Sequence, residues 1–263
     1  IPSARLLALA AFGYHPPVPS ADIRQPNLGR YRLERLIATG GMGEVFIAVD
    51  TQLAREVAVK RLIPPLDAPS VSRFVREARI QARLDHPAIV PVHEVGQDVD
   101  GYPYFVMKRL SGRTLHDVIH GRVKGEPPTR RRLLAALVDV CLALEQAHQR
   151  GVIHRDIKPS NIMVGDLGES YILDFGVARA TGERELDPSD RPSGDLYVTA
   201  VGHAVGSPGY MSPEQLRAED IDARADVYGL GCILYEALTS QRLNPLDAAG
   251  EWVHTGGDAA RPT

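Results

Sequence analysis

Two loops in the second half of the chain carry the residues that could do chemistry. The first is Val152-Ile153-His154-Arg155-Asp156-Ile157-Lys158-Pro159-Ser160-Asn161, and the second is Leu173-Asp174-Phe175-Gly176. Moving a phosphoryl group needs a carboxylate that orients the nucleophile and takes its proton. It also needs oxygen ligands for Mg2+ and a cation beside the migrating group. Asp156 can supply the first, Asn161 and Asp174 the second, and Lys158 the third. Each sits in a loop next to a short strand-like apolar run.

The first half holds three further pieces. Ala38-Thr39-Gly40-Gly41-Met42-Gly43-Glu44-Val45 lies between two apolar runs. Glycines there allow a tight turn and let backbone N–H groups approach phosphate oxygens. A plain hairpin turn has the same composition, and a strand on both sides is not the strand–loop–helix of a dinucleotide site. Lys60 ends the run Val57-Ala58-Val59-Lys60. A lysine inside an apolar strand needs an anion, because an unpaired buried ammonium is costly. Glu77, on the helical segment that follows, is the expected partner.

These residues must be positioned by two kinds of framework. Val45 to Val49, Val57 to Leu62 and Tyr104 to Met107 read as strands. Ser72 to Leu84 reads as a helix with Ser72 as its N-cap. Beyond Thr114 the pattern turns helical. Thr129 to Gln149 places Leu133, Leu137, Val140, Cys141, Leu144 and His148 on one face and stops at Gly151. Ile162 to Val164 and Tyr171 to Leu173 are short apolar pieces. Val227 to Leu238 is apolar nearly all round and should be buried. Residues 1–30 are Pro-rich and read as an arm or linker, and 181–195 is polar and rich in Pro, Ser, Asp and Glu.

Composition fits an ordinary globular domain, with 44% hydrophobic and 24% charged residues among 263. A net charge of -3 gives no electrostatic pull toward nucleic acid or an anionic membrane, so neither is expected as a partner of this segment. The two cysteines, Cys141 and Cys232, both fall in apolar helical patterns, which suggests reduced core thiols and a cytoplasmic setting. The run Leu6 to Phe12 is too short to span a bilayer. The chain starts at Ile1 rather than Met, as a piece of a longer protein would, and an anchor outside this segment stays open. Histidines 86, 93, 116, 120, 148 and 203 show no metal-ligand spacing and read as packing or surface residues.

Taken together, these motifs resemble the bacterial branch of the Hanks-type serine/threonine protein kinases, from about Tyr31 to Leu238. Asp85-His86-Pro87-Ala88-Ile89-Val90 resembles the segment after that family's regulatory helix. Gly206-Ser207-Pro208-Gly209-Tyr210-Met211-Ser212-Pro213-Glu214 resembles its substrate-docking loop, and Asp226-Val227-Tyr228-Gly229-Leu230-Gly231 its anchoring helix. The resemblance implies an α+β, bilobal kinase fold. A small antiparallel N-lobe sheet with one regulatory helix would occupy 31–110, hinge included, and a mostly helical C-lobe 111–240. An irregular tail, 241–263, would stand where the family continues with further helices, so the C-terminus reads as truncated. A small-molecule kinase would lack the segment from Ser207 to Glu214 and a non-catalytic scaffold would not need the full motif set.

The same resemblance implies roles. Gly40, Gly41 and Gly43 would cover the ATP phosphates, and Lys60, paired with Glu77, would hold the α and β phosphates. Asp156 would be the catalytic base, Lys158 would steady the γ-phosphoryl group, and Asn161 and Asp174 would bind Mg2+, with Mn2+ as a substitute. Adenine would lie between Ile37, Val45 and Ala58 on one side and Met163 on the other. It would meet the hinge Lys108-Arg109-Leu110, with Met107 as gatekeeper. Asp226 would accept backbone N–H groups of the catalytic loop, and Arg155 would read a phosphate on the loop after Gly176, with Thr199 the first candidate. Lys158 and Ser207 favour Ser/Thr hydroxyls of proteins as acceptors. Ala38, where the family has a first glycine, Lys108 in the hinge and Ser212 before Pro213 depart from its pattern. With helices missing, the apolar segment Val227 to Leu238 would leave large side chains in water and favour self-association.

Overall fold

The computed structural model describes residues 28–40, 43–64, 66–122, 129–175, 178–180 and 206–244. Five strands form an antiparallel sheet: β1 Tyr31–Gly40, β2 Gly43–Asp50, β3 Arg55–Arg61, β4 Val92–Gln97 and β5 Pro103–Lys108, in the order β1-β2-β3-β5-β4. Two of these, β1 and β4, are edge strands with weaker apolar runs. β1 also shifts register between Leu33 and Arg35 and between Leu36 and Ala38.

Both faces of this sheet are covered, and the period of two in β3 shows how. Val57 and Val59 join Leu33, Ala48, Tyr104 and Val106 in one cluster, while Ala58 joins Val45, Phe105 and Met107 in another. Helix α1, Ala68–Arg83, closes the second face through Phe74, whose ring sits 5.2 Å from that of Phe105. The helix starts four residues before Ser72. Asp67 is the N-cap, its Oδ1 accepting from Ser70 N at 2.7 Å, with a proline in the first turn. An Asp followed by Pro outcompetes a later Ser, and an exposed first turn has no apolar periodicity to announce it.

The rest is built around helices α2 Leu115–Ile119, α3 Arg130–Gln149, α4 Pro213–Leu216 and α5 Arg224–Thr239. Strands β6 Gly112–Thr114, β8 Ile162–Gly165 and β9 Ser170–Ile172 form a small sheet, and β7 Val152–Ile153 pairs with β10 Arg179–Ala180. Leu137, Val140 and Leu144 of α3 pack with Ile162, Ile172, Phe175 and Ile233. Thr129 caps α3, and Gly151, at φ +74°, turns the chain out of it.

Three expectations are corrected. Cys141 is exposed, because the buried stripe of α3 runs through Ala136, Ala143 and Ala147 beside Leu137, Val140 and Leu144; only Cys232 is a core thiol. Burial pushes the Cys232 thiol up to about 11, with Glu236 adding to it. Helix α5 is buried on one side only: Val227, Leu234, Tyr235 and Leu238 are exposed. The expected arm does not reach residue 30. Leu28 is in the core, and Arg30 donates from Nε and Nη2 to Asp50 at 2.7 and 2.6 Å. Residues 1–27 and 245–263 lie outside the described residues. Among the described residues no helix is long and apolar enough to cross a membrane.

Candidate active site

Lys60, on β3, faces α1, and its Nζ lies 2.5 Å from Glu77 Oε1 and 3.9 Å from Asp174 Oδ1. Both partners of the first pair are buried. Burial pushes the Glu77 carboxyl up to about 7, with Asp174 adding to the push and Lys60 pulling against it. Burial would lower the Lys60 ammonium, but Glu77 and Asp174 more than offset this and raise it. Lys60 therefore stays charged at a spot where three groups meet from a strand, a helix and a loop.

The catalytic loop is held from behind. Asp226, at the start of α5, accepts His154 N on Oδ2 at 2.9 Å and Arg155 N on Oδ1 at 2.8 Å. These are the backbone acceptor contacts expected of it. His148, from the last turn of α3, lies with Nε2 2.7 Å from Asp226 Oδ2, a partner that the helical pattern did not reveal. Arg155 has φ +70°, a left-handed conformation unusual for a side chain of its size. Gln215 Nε2 donates to its carbonyl oxygen at 2.8 Å, so donor and acceptor of this inverted residue are both fixed. His154 is fully buried against Phe175, with centroids 4.9 Å apart, and burial lowers its pKa.

Asp156 comes next. Its Oδ2 accepts Lys158 Nζ at 2.7 Å and Asn161 Nδ2 at 3.1 Å. Its Oδ1 is buried and has no hydrogen-bond partner among the described residues. Lys158 Nζ also donates to Ser207 Oγ at 2.5 Å, tying the segment from Gly206 to Glu214 to the loop. Leu173 N donates to Asn161 O at 3.0 Å, which sets Asp174 beside the same loop.

An apolar cleft of about 340 Å³ opens between the sheet and β8. Ile37, Val45, Ala58, Met107, Lys108, Leu110 and Met163 line it, as the sequence suggested. Ile47, Val90 and Leu173 line it too and were not anticipated. Lys108 reaches across to β9, where its Nζ donates to Tyr171 Oη at 2.5 Å, and Arg109 pairs with Glu56. Gly43 opens β2 opposite Gly40. A Cβ on it would stand 2.3 Å from the Arg61 carbonyl oxygen, so sheet pairing by itself demands glycine there. Gly41, Gly176 and Thr199 lie outside the described residues.

The cleft and its polar end fit a magnesium nucleotide. A flat base suits the apolar walls, and Lys60 is a fixed cation of the kind that phosphates need. The carboxylate of Asp174 and the amide oxygen of Asn161 are the hard oxygen donors that Mg2+ takes. Asp156 Oδ1, with no hydrogen-bond partner among the described residues, is an acceptor left over at this end of the loop.

Comparison with known proteins agrees. The protein kinase domain family matches residues 31–254. The serine/threonine-protein kinase PknB of Mycobacterium tuberculosis is 43% identical over 217 residues, 81% of this chain and 33% of the relative. The probable serine/threonine-protein kinase SCO3848 of Streptomyces coelicolor is 43% identical over 216 residues, 80% of this chain and 30% of that protein. PknB of Mycobacterium leprae is 40% identical over 222 residues, 82% and 33%. The chain thus spans about a third of the length of the curated relatives it matches.

Proposed function

This chain belongs to the protein kinase family, and we propose that it transfers the γ-phosphoryl group of ATP to serine and threonine hydroxyls of proteins. The observation that carries the reading is Asp156: one carboxylate oxygen is tied down by Lys158 and Asn161, and the other has no hydrogen-bond partner among the described residues. A carboxylate so held is oriented to take a proton from an incoming hydroxyl.

The other residues follow from their places. Lys60, kept charged by Glu77, anchors the α and β phosphates. Ile37, Val45, Ala58 and Met163 clasp the base, the backbone of Lys108 and Leu110 reads its edge, and Met107 sets the depth. Gly40, Gly41 and Gly43 cover the phosphates. Asn161 and Asp174 hold the divalent ion, Mg2+ with Mn2+ as substitute, which neutralises the phosphate charge. Lys158 joins Asp156 to Ser207, a bridge suited to a Ser/Thr acceptor lying along the docking segment. Residues 31–110 and 111–240 serve as the two lobes. The kinase phosphorylates its own loop, at Thr199 first, with Arg155 receiving the phosphate. It works on the cytoplasmic side, and the apolar side chains exposed on α5 support self-association.

The test is transfer of label from γ-labelled ATP to a generic basic protein and to the chain itself. Label on serine and threonine, absent with Asp156→Asn, supports the reading. No transfer with Mg2+ or Mn2+ would leave a nucleotide-binding scaffold instead.

A further inference from the structure

Helix α2 and its C-cap place His116 and His120 one turn apart, with ring centroids 4.6 Å from each other. Glu236, near the end of α5, comes in from the other side with no exposed surface. His120 Nε2 is 2.7 Å from Glu236 Oε1. One ligand atom from each of the three side chains lies within 4.8 Å of the other two. Tyr210 donates its hydroxyl to Glu236 Oε2 at 2.5 Å, so the Oε1 oxygen is the one turned to the histidines. A carboxylate wholly removed from water needs positive charge close by. Its ion-pair partner is His120, while Arg242 stands over the Tyr210 ring, 5.8 Å from the centroid.

We propose that His116, His120 and Glu236 form a binding site for a divalent transition ion, zinc by preference, separate from the ion held by Asn161 and Asp174. Two imidazoles and one carboxylate are a zinc donor set, with water as the fourth ligand. Mg2+ prefers oxygen and keeps its waters, so it does not compete for this set. Zinc bonds of about 2.0–2.2 Å put tetrahedral ligand atoms ~3.3 Å apart, a spacing within the 4.8 Å that encloses these three atoms. Tyr210 holds the carboxylate from outside, the usual arrangement behind a ligand. His116 and His120 stand four residues apart, a spacing that puts two ligands on one helix face. It was passed over in the sequence because the third ligand, Glu236, is 116 residues from His120. An ion here fastens α2 to α5 and fixes the partner of Tyr210, hence the docking segment from Gly206 to Glu214.

The test uses the whole chain, stripped with chelator, without nucleotide or Mg2+. Calorimetric titration with Zn2+ should give one equivalent bound. His116→Ala keeps the His120–Glu236 and Tyr210–Glu236 contacts, and it should weaken binding by more than the roughly 10–100-fold typical of losing an outer partner. His203→Ala should leave binding unchanged. Co2+ on the unmutated chain should show the intense visible bands of a four-coordinate ion, whatever the variants do. Absent Co2+ bands, no stoichiometric Zn2+ binding, or wild-type affinity in folded His116→Ala would each overturn the proposal.

Discussion

The side-chain amide of Asn161 donates to Asp156 twice, to its carbonyl oxygen at 2.9 Å and to its Oδ2 at 3.1 Å. A carbonyl only accepts, so the nitrogen of Asn161 must face Asp156 and its oxygen must point the other way. One residue thereby orients the carboxylate and turns a metal-type donor outward. In the proposed function, this would couple proton acceptance to ion binding through a single side chain.

Asp156→Asn and Asp174→Asn should separate in kind. Loss of the proton acceptor should cut turnover by about 10²–10⁴-fold and leave Mg2+-dependent nucleotide affinity intact. Asp174→Asn should weaken that affinity as well. Fluorescent nucleotide titration with and without Mg2+ checks this, and equal affinities in the two variants would contradict the roles assigned.

Lys60→Met should reduce transfer by about 10²-fold or more. It should also destabilise, because the buried Glu77 loses its partner at 2.5 Å. Without Lys60, burial raises the folded-state pKa of Glu77 above its present value of about 7. The variant should then be most stable below the pKa of an unfolded glutamate and lose stability as pH rises through the folded value. Thermal melts across pH read this directly, and Lys60→Met/Glu77→Gln should flatten the trend.

Gly43→Ala should lower stability even with no nucleotide present, since its Cβ would press on the Arg61 carbonyl at 2.3 Å. Overpacking of this kind costs about 1–3 kcal/mol, or roughly 2–4 °C in melting midpoint for each kcal/mol. An unchanged melt with reduced nucleotide affinity would assign this glycine to phosphate contact alone.

Asp50→Asn should destabilise at neutral pH and matter less in acid. The Arg30 guanidinium holds the Asp50 carboxyl down at about 2, below the ordinary value. Its contribution is therefore complete above the unfolded aspartate value of about 4 and fades as pH falls through 2. Urea midpoints of both proteins should converge on acidification.

Sequence alone carried Lys60 and Glu77 well, because a lysine in an apolar strand demands an anion and a helix carboxylate stood 17 residues on. Asp226, Asn161 and the cleft walls came through the motif set. His148 and Tyr171 did not, since each acts through the tip of a side chain whose stem fits an apolar pattern. Val90 and Leu173 were missed because lining a cleft and filling a core ask for the same residue types. Cys141 went wrong by phase: the alanines of α3 let neighbours approach closely and shift its buried stripe.

Asp226 lies 72 residues beyond His154 and 71 beyond Arg155, whereas β1, β2 and β3 pair with chain neighbours. Local hairpins close quickly, and distant contacts wait on loop closure. During synthesis the roof of the cleft can thus assemble while the loop beneath it still lacks the acceptors for its two N–H groups. The growing chain would acquire a place for nucleotide before it acquires the means to use it. Competence would arrive late and in one step, when α5 docks.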